Sequence, residues 1–493
     1  MPALAGRHSK YLVLAVWLVI LAAAASVSGK LTGIEKNEAS SFLPGSAEST
    51  KVLNEEGSFR SPNTIVAVVV LQRLPQLTAT DRAKIVADTG AFARIAPLGG
   101  PVVGPIWSQD GEAAEVTVPY NLGVDGWSHS PGVVSKIDKI AGSSPGLAVY
   151  VTGALGNAAD SNNAFKGIDS TLLYAAAAVV IFILLLTYRS PFLWLLPVIS
   201  AGIALTSAEA VIYLFAEHAG LVVNAESVGI LTVLVFGAGT DYALLLVARY
   251  REELRRHQDR HEAMAVALKR ARTAIVASAS TVIAGMLCLL AAVTNSTRGL
   301  GPVAAIGVVV GLAAMLTLLP ALLVTFGRWI FWPVRPTFGS DEPTSSGIWA
   351  RIGAGVARHP RRVWAGTTLA LMVLALGILD LSADGLTQKQ SFRGTPPSVA
   401  GEAVLSRHFP AGVGSPVIVI ANAPKFAEVE AVLSRVRGVV AVAPPISDGQ
   451  RVLLQGTLAS PPQSPAAYAT VERVRAAVHP IAGANARVGG DSA

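Results

Sequence analysis

The sequence predicts a polytopic α-helical membrane protein, with seven transmembrane helices and two extracytoplasmic α+β domains of β-α-β-β-α-β (ferredoxin-like porter) type. Three observations predict it. Only 14% of the 493 residues are charged and 52% are hydrophobic, with a mean hydropathy of +0.52, whereas a soluble domain is about a quarter charged. The missing charge is missing locally: several stretches have the roughly 20 apolar residues that cross a hydrocarbon core about 30 Å thick. Finally, two long segments, one after the first stretch and one after the last, repeat one order of strand and helix patterns.

Residues 11–28 form the first candidate span, preceded by Arg7 and Lys10. An apolar stretch behind basic residues also describes a signal peptide, but six further spans make a retained helix equally economical. Residues 1–28 are therefore read as a cytoplasmic N-terminus and first span. Residues 29–170 form the first outside domain. In it, 64–71 is a β-rich apolar run and 79–95 has helical spacing. Residues 102–107 and 113–118 are strands around Gln109-Asp110-Gly111, a hairpin signal. Residues 131–140 read as helix and 147–152 as strand, completing a split βαβ order.

Five spans follow within 171–326: 171–188, 191–215, 221–248, 273–293 and 300–326. The third of these carries Glu226 near one end and Asp241 inside. Residues 327–362 form a cytoplasmic loop in which Ile348, Trp349, Ile352 and Val356 share one helical face beside Arg351 and Arg358, the pattern of an interfacial helix. Residues 363–379 are the seventh span. Residues 380–493 repeat the outside order: strand 416–421, helix 425–436, strands 439–443 and 451–456 around Ser447-Asp448-Gly449, helix 465–478, strand 486–489. The flanks repeat too, Arg7-His8-Ser9-Lys10 before the first span matching Arg358-His359-Pro360-Arg361 before the seventh. This is internal duplication, and parallel repeats of this kind build many transporters. The second copy reaches Ala493 where the first copy enters its second span. The expectation is a chain truncated before an eighth helix, from a protein of about twelve spans.

Lys and Arg orient the chain. With the N-terminus inside, the cytoplasmic connections hold Arg189, a cluster from Arg249 to Arg272, and the arginines from Arg328 to Arg362, while the short outer loops hold only Arg298. This predicts a multi-pass protein of the bacterial cytoplasmic membrane with its C-terminal domain outside. It also accounts for the net charge of +7 without a nucleic-acid partner. The run Arg249–Arg256 reads as a solvated helix end. The single cysteine, Cys288, lies in the fifth span, excludes an internal disulfide and reads as packing. No phosphate-binding Walker loop and no His/Cys cluster appears, so no ATP site, metal or cofactor is expected and the chain does not read as an enzyme.

Asp241 is the sharpest candidate. It sits in Gly237-Ala238-Gly239-Thr240-Asp241-Tyr242, eight residues before Arg249, or roughly 12 Å below the inner surface. An ionised carboxylate at that depth is costly, which makes Asp241 a candidate to take a proton from one side and release it to the other. Tyr242 is a candidate relay beside it. Ser278, Ser280 and Thr281 in the fifth span and Glu209 in the third are candidates for a polar path, against the simpler reading of helix packing.

Gly237–Arg256, GAGTDYALLLVARYREELRR, resembles the fourth-span signature of the MMPL family (mycobacterial membrane protein, large) of the resistance-nodulation-division superfamily. Ser41-Phe42-Leu43-Pro44-Gly45-Ser46-Ala47-Glu48-Ser49 and Leu318-Leu319-Pro320-Ala321-Leu322-Leu323 resemble that family's early outside segment and the end of its sixth span. The resemblance implies proton-motive-force-driven export of lipids or other hydrophobic compounds, with Asp241 and Tyr242 as one of two proton-relay pairs. The implied partners are membrane lipids, a hydrophobic or lipid substrate and protons, with a homo-oligomer or a separate chain supplying the missing helices. Two other readings are a non-transporting membrane scaffold or lipid-binding remnant, and an accessory subunit of protein export.

Overall fold

The computed structural model describes residues 6–36, 42–59, 63–123, 126–142, 144–165, 168–188, 190–340, 348–381, 394–409, 415–462, 464–490 and 492–493. Along the chain come α1 (Ser9–Ser28), α2 (Glu48–Glu56), β1 (Thr64–Gln72), α3 (Ala79–Phe92), β2 (Val103–Trp107), β3 (Ala113–Asn121), α4 (Gly126–Ala141), β4 (Ala148–Thr152) and α5 (Gly153–Phe165). Then follow the long helices α6 (Ile168–Tyr188), α7 (Leu195–Ala219), α8 (Ala225–Arg256), α9 (Arg260–Cys288) and α10 (Asn295–Phe326), and after them α11 (Ile348–Arg358) and α12 (Pro360–Ala375). The last part holds α13 (Pro397–His408), β5 (Val417–Asn422), α14 (Phe426–Leu433), β6 (Val439–Val442), β7 (Ile446–Ser447), β8 (Arg451–Leu458), α15 (Pro465–Val478) and β9 (Arg487–Gly489).

Two compact units result. One comprises Met1–Glu35, Ser170–Leu290 and Gly299–Gly385 and holds the long helices; the other comprises Lys36–Asp169, Ala291–Arg298 and Leu386–Ala493 and holds both sheets.

The helical unit follows from uninterrupted Leu, Val, Ile and Ala: in lipid only a helix satisfies every backbone group within its own segment. Among the described residues, six helices are long and apolar enough to cross a membrane, beginning at Ser9, Leu195, Ala225, Arg260, Asn295 and Pro360. The expected second span corresponds to α6, whose described apolar part, Leu173–Tyr188, is shorter than these. Small residues set the close packing. A Cβ on Gly307 of α10 would stand 2.2 Å from Leu231 Cδ1 and 3.0 Å from Val235 Cγ2 of α8, so these two helices meet where only glycine fits. The indole N–H of Trp17 donates to Thr317 Oγ1 at 2.9 Å, fastening α1 to α10. Cys288 is exposed, not packed as expected. It lies at the C-terminal end of α9, a helix with only a narrow buried stripe through Ile275 and Ala279.

In the other unit, β1 to β4 form an antiparallel sheet of order β2-β3-β1-β4. The expected hairpin at Asp110 is present: Ser108 N donates to Ala113 O, and Gly111 takes φ +74. One face packs Ala67, Val69, Val116 and Val118 under Ile85 and Phe92 of α3 and Val133 and Ile137 of α4. α4 begins at Gly126, earlier than expected: Pro131 lies inside the helix and not at its start, and the Ser130 hydroxyl beside it bonds back to Gly126 O. The later sheet runs β6-β8-β5-β9, with β7 added on β8. Its core is Val419, Val429, Leu454, Val471 and Val474. α14 stops at Leu433, three residues before the expected helix end.

Three helices were not read from the sequence: α2, α5 and α13. Two of them explain how the second face of each sheet is covered. Val52 of α2 packs with Ile418, Ile420 and Leu453 of the later sheet. Val404 and Leu405 of α13 pack with Val68 and Val70 of the earlier one. Each sheet is thus closed by a helix from the other segment. Carboxylates fix the exchange. Glu48 accepts from Val488 N at 2.8 Å and pairs with Arg475 at 3.2 Å, Glu55 pairs with Arg451 at 3.0 Å and with Arg487, and Asp160 accepts from Ser398 N at 2.8 Å at the start of α13.

Candidate functional site

The site is built on α8. Asn224 caps its start by accepting from Ser227 N at 2.8 Å. At its other end the Arg328 guanidinium donates to Leu254 O, His257 O and Gln258 O at 2.9, 2.7 and 3.0 Å, satisfying carbonyls that a helix C-terminus leaves open. The helix has 32 residues, about 48 Å, and Asp241 lies at its middle.

Burial along α8 is one-sided. Leu231, Val235, Tyr242, Leu246 and Tyr250 are buried, while Ile230, Val233, Gly237, Asp241, Leu245 and Ala248 are exposed. Their three- and four-residue spacing makes a single stripe, so Asp241 stands in the middle of the face that α8 turns away from its neighbours. The opposite face is tight at the same level: a Cβ on Gly239 would lie 2.9 Å from Met315 Cε of α10 and 3.8 Å from Ala201 Cβ of α7. Beside Asp241 the Thr240 hydroxyl bonds back one turn to Gly237 O at 2.9 Å.

Tyr242 points elsewhere. Its ring is 3% exposed. Its hydroxyl is turned toward Ser278 of α9 without closing a hydrogen bond of normal geometry. Asp241, Tyr242 and Ser278 are thus brought to one level of α8 and α9. The other sequence candidates are not. Thr281 is exposed and spends its hydroxyl on Ala277 O at 3.0 Å. Ser280 lies two residues from Ser278, about 200° around the helix. Glu209 is half-buried in α7, eight residues beyond Ala201, the residue that faces Gly239; that is about 12 Å along the axis.

A second cluster went unread. Glu253 was expected in a solvated helix end but is 1% exposed. It pairs with Arg270 of α9 at 2.5 Å and with His257 at 3.3 Å. The only sequence signal was its spacing from buried Tyr250 and Leu246 on one helical face. In the sheet unit, Asp110, Glu112 and His408 bring ligand-type atoms within 4.8 Å of one another. Hydrogen bonds already account for this group: His408 Nδ1 lies 2.6 Å from Asp110 Oδ2 and its Nε2 lies 2.9 Å from Gln72 Nε2. The Ser108 hydroxyl, Glu112 N and His408 together hold the Asp110 carboxyl down at about 2.

Residues 42–363 match the MMPL family. The membrane protein ActII-3 of Streptomyces coelicolor is 50% identical over 99% of this chain and 69% of its own length. The apo-petrobactin exporter of Bacillus anthracis is 34% identical over 56% of this chain and 39% of its own. The sulfolipid-1 exporter MmpL8 of Mycobacterium tuberculosis is 28% identical over 82% of this chain and 38% of its own.

Proposed function

This chain belongs to the MMPL family of membrane transport proteins, and from that premise we propose that it serves proton-motive-force-driven export of lipids or other hydrophobic compounds, with Asp241 and Tyr242 as its proton relay. The observation that carries the reading is the position of Asp241: a carboxylate halfway along a 32-residue helix and within its apolar part, on its one open stripe. A charge at that depth is retained for function far more often than for stability. Proton uptake lets the side chain sit in an apolar setting; release needs a polar path, to which Tyr242 and Ser278 contribute hydroxyls. Relatives named as exporters of apo-petrobactin and of sulfolipid-1 support an export role.

In this reading the N-terminus is cytoplasmic, seven helices cross the inner membrane, residues 327–362 form a cytoplasmic loop, and the two sheets are porter domains of ferredoxin-like type outside. The open stripe of α8 faces further helices, from a second copy or another chain. The test is export of a hydrophobic reporter from cells carrying the protein in its native gene context. Asp241→Asn, close in size but unable to release a proton, abolishes export while membrane insertion is unchanged, and an uncoupler does the same to the wild type. Export by Asp241→Asn at the wild-type rate removes Asp241 from the mechanism.

A further inference from the structure

Helix α11 is amphipathic in sequence, is joined directly to a candidate span, and exposes every one of its described side chains, Arg351–Arg358. Nothing in its own unit packs on its Arg351–Arg358 part. It ends at Arg358, and α12 begins at Pro360 after a single residue, His359, whose φ −131 and ψ 51 interrupt the helix. The apolar stretch Pro360–Leu379 is long enough to cross a membrane, so the C-terminal end of α11 lies at the surface where that stretch enters. Eleven residues span about 16 Å, too short for α11 to leave the interfacial zone by more than its own length.

Its chemistry fits that place. Ile352 and Val356, four residues apart on one face, are 49% and 44% exposed. Arg351 and Arg358 are seven residues apart, about 20° apart around the axis and well over 100° from that apolar face. Arg361 and Arg362 follow at the first turn of α12. From Ile348 to Leu379 there is no acidic residue to pair with these four guanidinium groups, and none of the four makes an ion pair with another described residue. A helix that is apolar on one side, purely cationic on the other and tethered at a bilayer entry point is complementary to anionic headgroups over acyl chains.

We propose that α11 is an anionic-phospholipid docking helix: it lies on the leaflet from which α12 starts, Ile352 and Val356 among the acyl chains and the arginines on lipid phosphates, and so fixes the depth of α12 in the membrane. The complementarity of the arginine side to lipid phosphates, at the point where α12 enters the bilayer, favours a membrane over a soluble partner.

The test uses the full chain with Cys288→Ser and a single cysteine placed by Val356→Cys or Ala354→Cys, each carrying a nitroxide. The protein is placed in nanodiscs of phosphatidylcholine alone or with about one third phosphatidylglycerol. Accessibility to oxygen and to a water-soluble nickel chelate is then read. The proposal expects the label at 356 to be shielded from nickel and open to oxygen, much more so with phosphatidylglycerol, while the label at 354 stays open to nickel. Arg351→Gln with Arg358→Gln should weaken the phosphatidylglycerol dependence by about fivefold per arginine. Equal shielding in both lipids overturns the anionic selectivity. Shielding in neither, or of both labels together, overturns docking on the membrane. Since Arg351 and Arg358 are exposed, the arginine variants should retain the wild-type elution volume, which checks that the fold is intact.

Discussion

Removing two methyl groups from Val52 tests the exchange of helices between the two sheets. Val52 is 1% exposed and sits on Ile418, Ile420 and Leu453 of the later sheet, although it belongs to the first segment. Val52→Ala withdraws about 1.6 kcal/mol of burial at roughly 0.8 kcal/mol per methyl, and a residual cavity brings the loss to about 2 kcal/mol. Alanine is the better helix former, which returns up to about 0.5 kcal/mol within α2. The net loss of about 1.5 kcal/mol corresponds to roughly tenfold more frequent release of α2 from the sheet. Hydrogen exchange of the full chain, read by mass spectrometry, should show the amides of Glu48–Glu56 exchanging about tenfold faster. Those of α3 should be unchanged, and Val86→Ala, on an exposed position of α3, should leave both untouched. Unchanged exchange in α2, or a loss spread evenly over the first sheet, would refute the docking of α2 on the later sheet.

Three further outcomes are expected. Burial raises the carboxyl of Glu115, which is 3% exposed on β3; the folded state therefore resists ionisation, and stability is lost as pH rises from the ordinary carboxylate range through the raised value. Glu115→Gln, whose amide oxygen still accepts from Thr117, should melt higher than wild type at neutral pH and equally below about pH 4; a higher midpoint for wild type at neutral pH contradicts this. Gly307→Val drives a side chain into Leu231 and Val235 and should cost about 1–3 kcal/mol in thermal unfolding, whereas Gly311→Ala, with open space at its Cβ, should be neutral; equal midpoints would mean that α8 and α10 are not in close contact there. A cysteine replacing Asp448 in a Cys288→Ser background should react with an impermeant thiol reagent from outside intact cells, and labelling only after lysis would reverse the proposed orientation.

Much of this was legible because it is periodic. The long helices announce themselves by apolar length, and the strands by alternation around Asp110-Gly111 and Asp448-Gly449. Asp241 stands out since a carboxylate in such a helix has no local excuse. What the sequence hides is long-range. α2 and α13 are 9 and 12 residues long, too short for a firm periodic signal, and their partners lie hundreds of residues away. Glu253 reads as a solvated helix-end charge because its neighbours are arginines; only the fold brings Arg270 of the next helix over it. The separation of Ser278 from Ser280 follows from helix geometry alone, but that Tyr242 turns toward Ser278 while Asp241 turns away depends on which face of α8 packs on α7 and α10. Cys288 shows the converse: a residue inside an apolar run looks packed, yet its helix buries only a thin stripe.

The central claim is that Asp241 couples cargo movement to protons. The most direct measurement follows internal pH and a fluorescent lipid cargo together in inverted membrane vesicles from cells carrying the protein in its native gene context. The account predicts that cargo addition accelerates proton movement in wild-type vesicles, that Asp241→Asn removes this acceleration and the cargo movement together, and that Asp241→Glu restores part of both. Cargo movement that persists in Asp241→Asn, with or without proton flux, contradicts it.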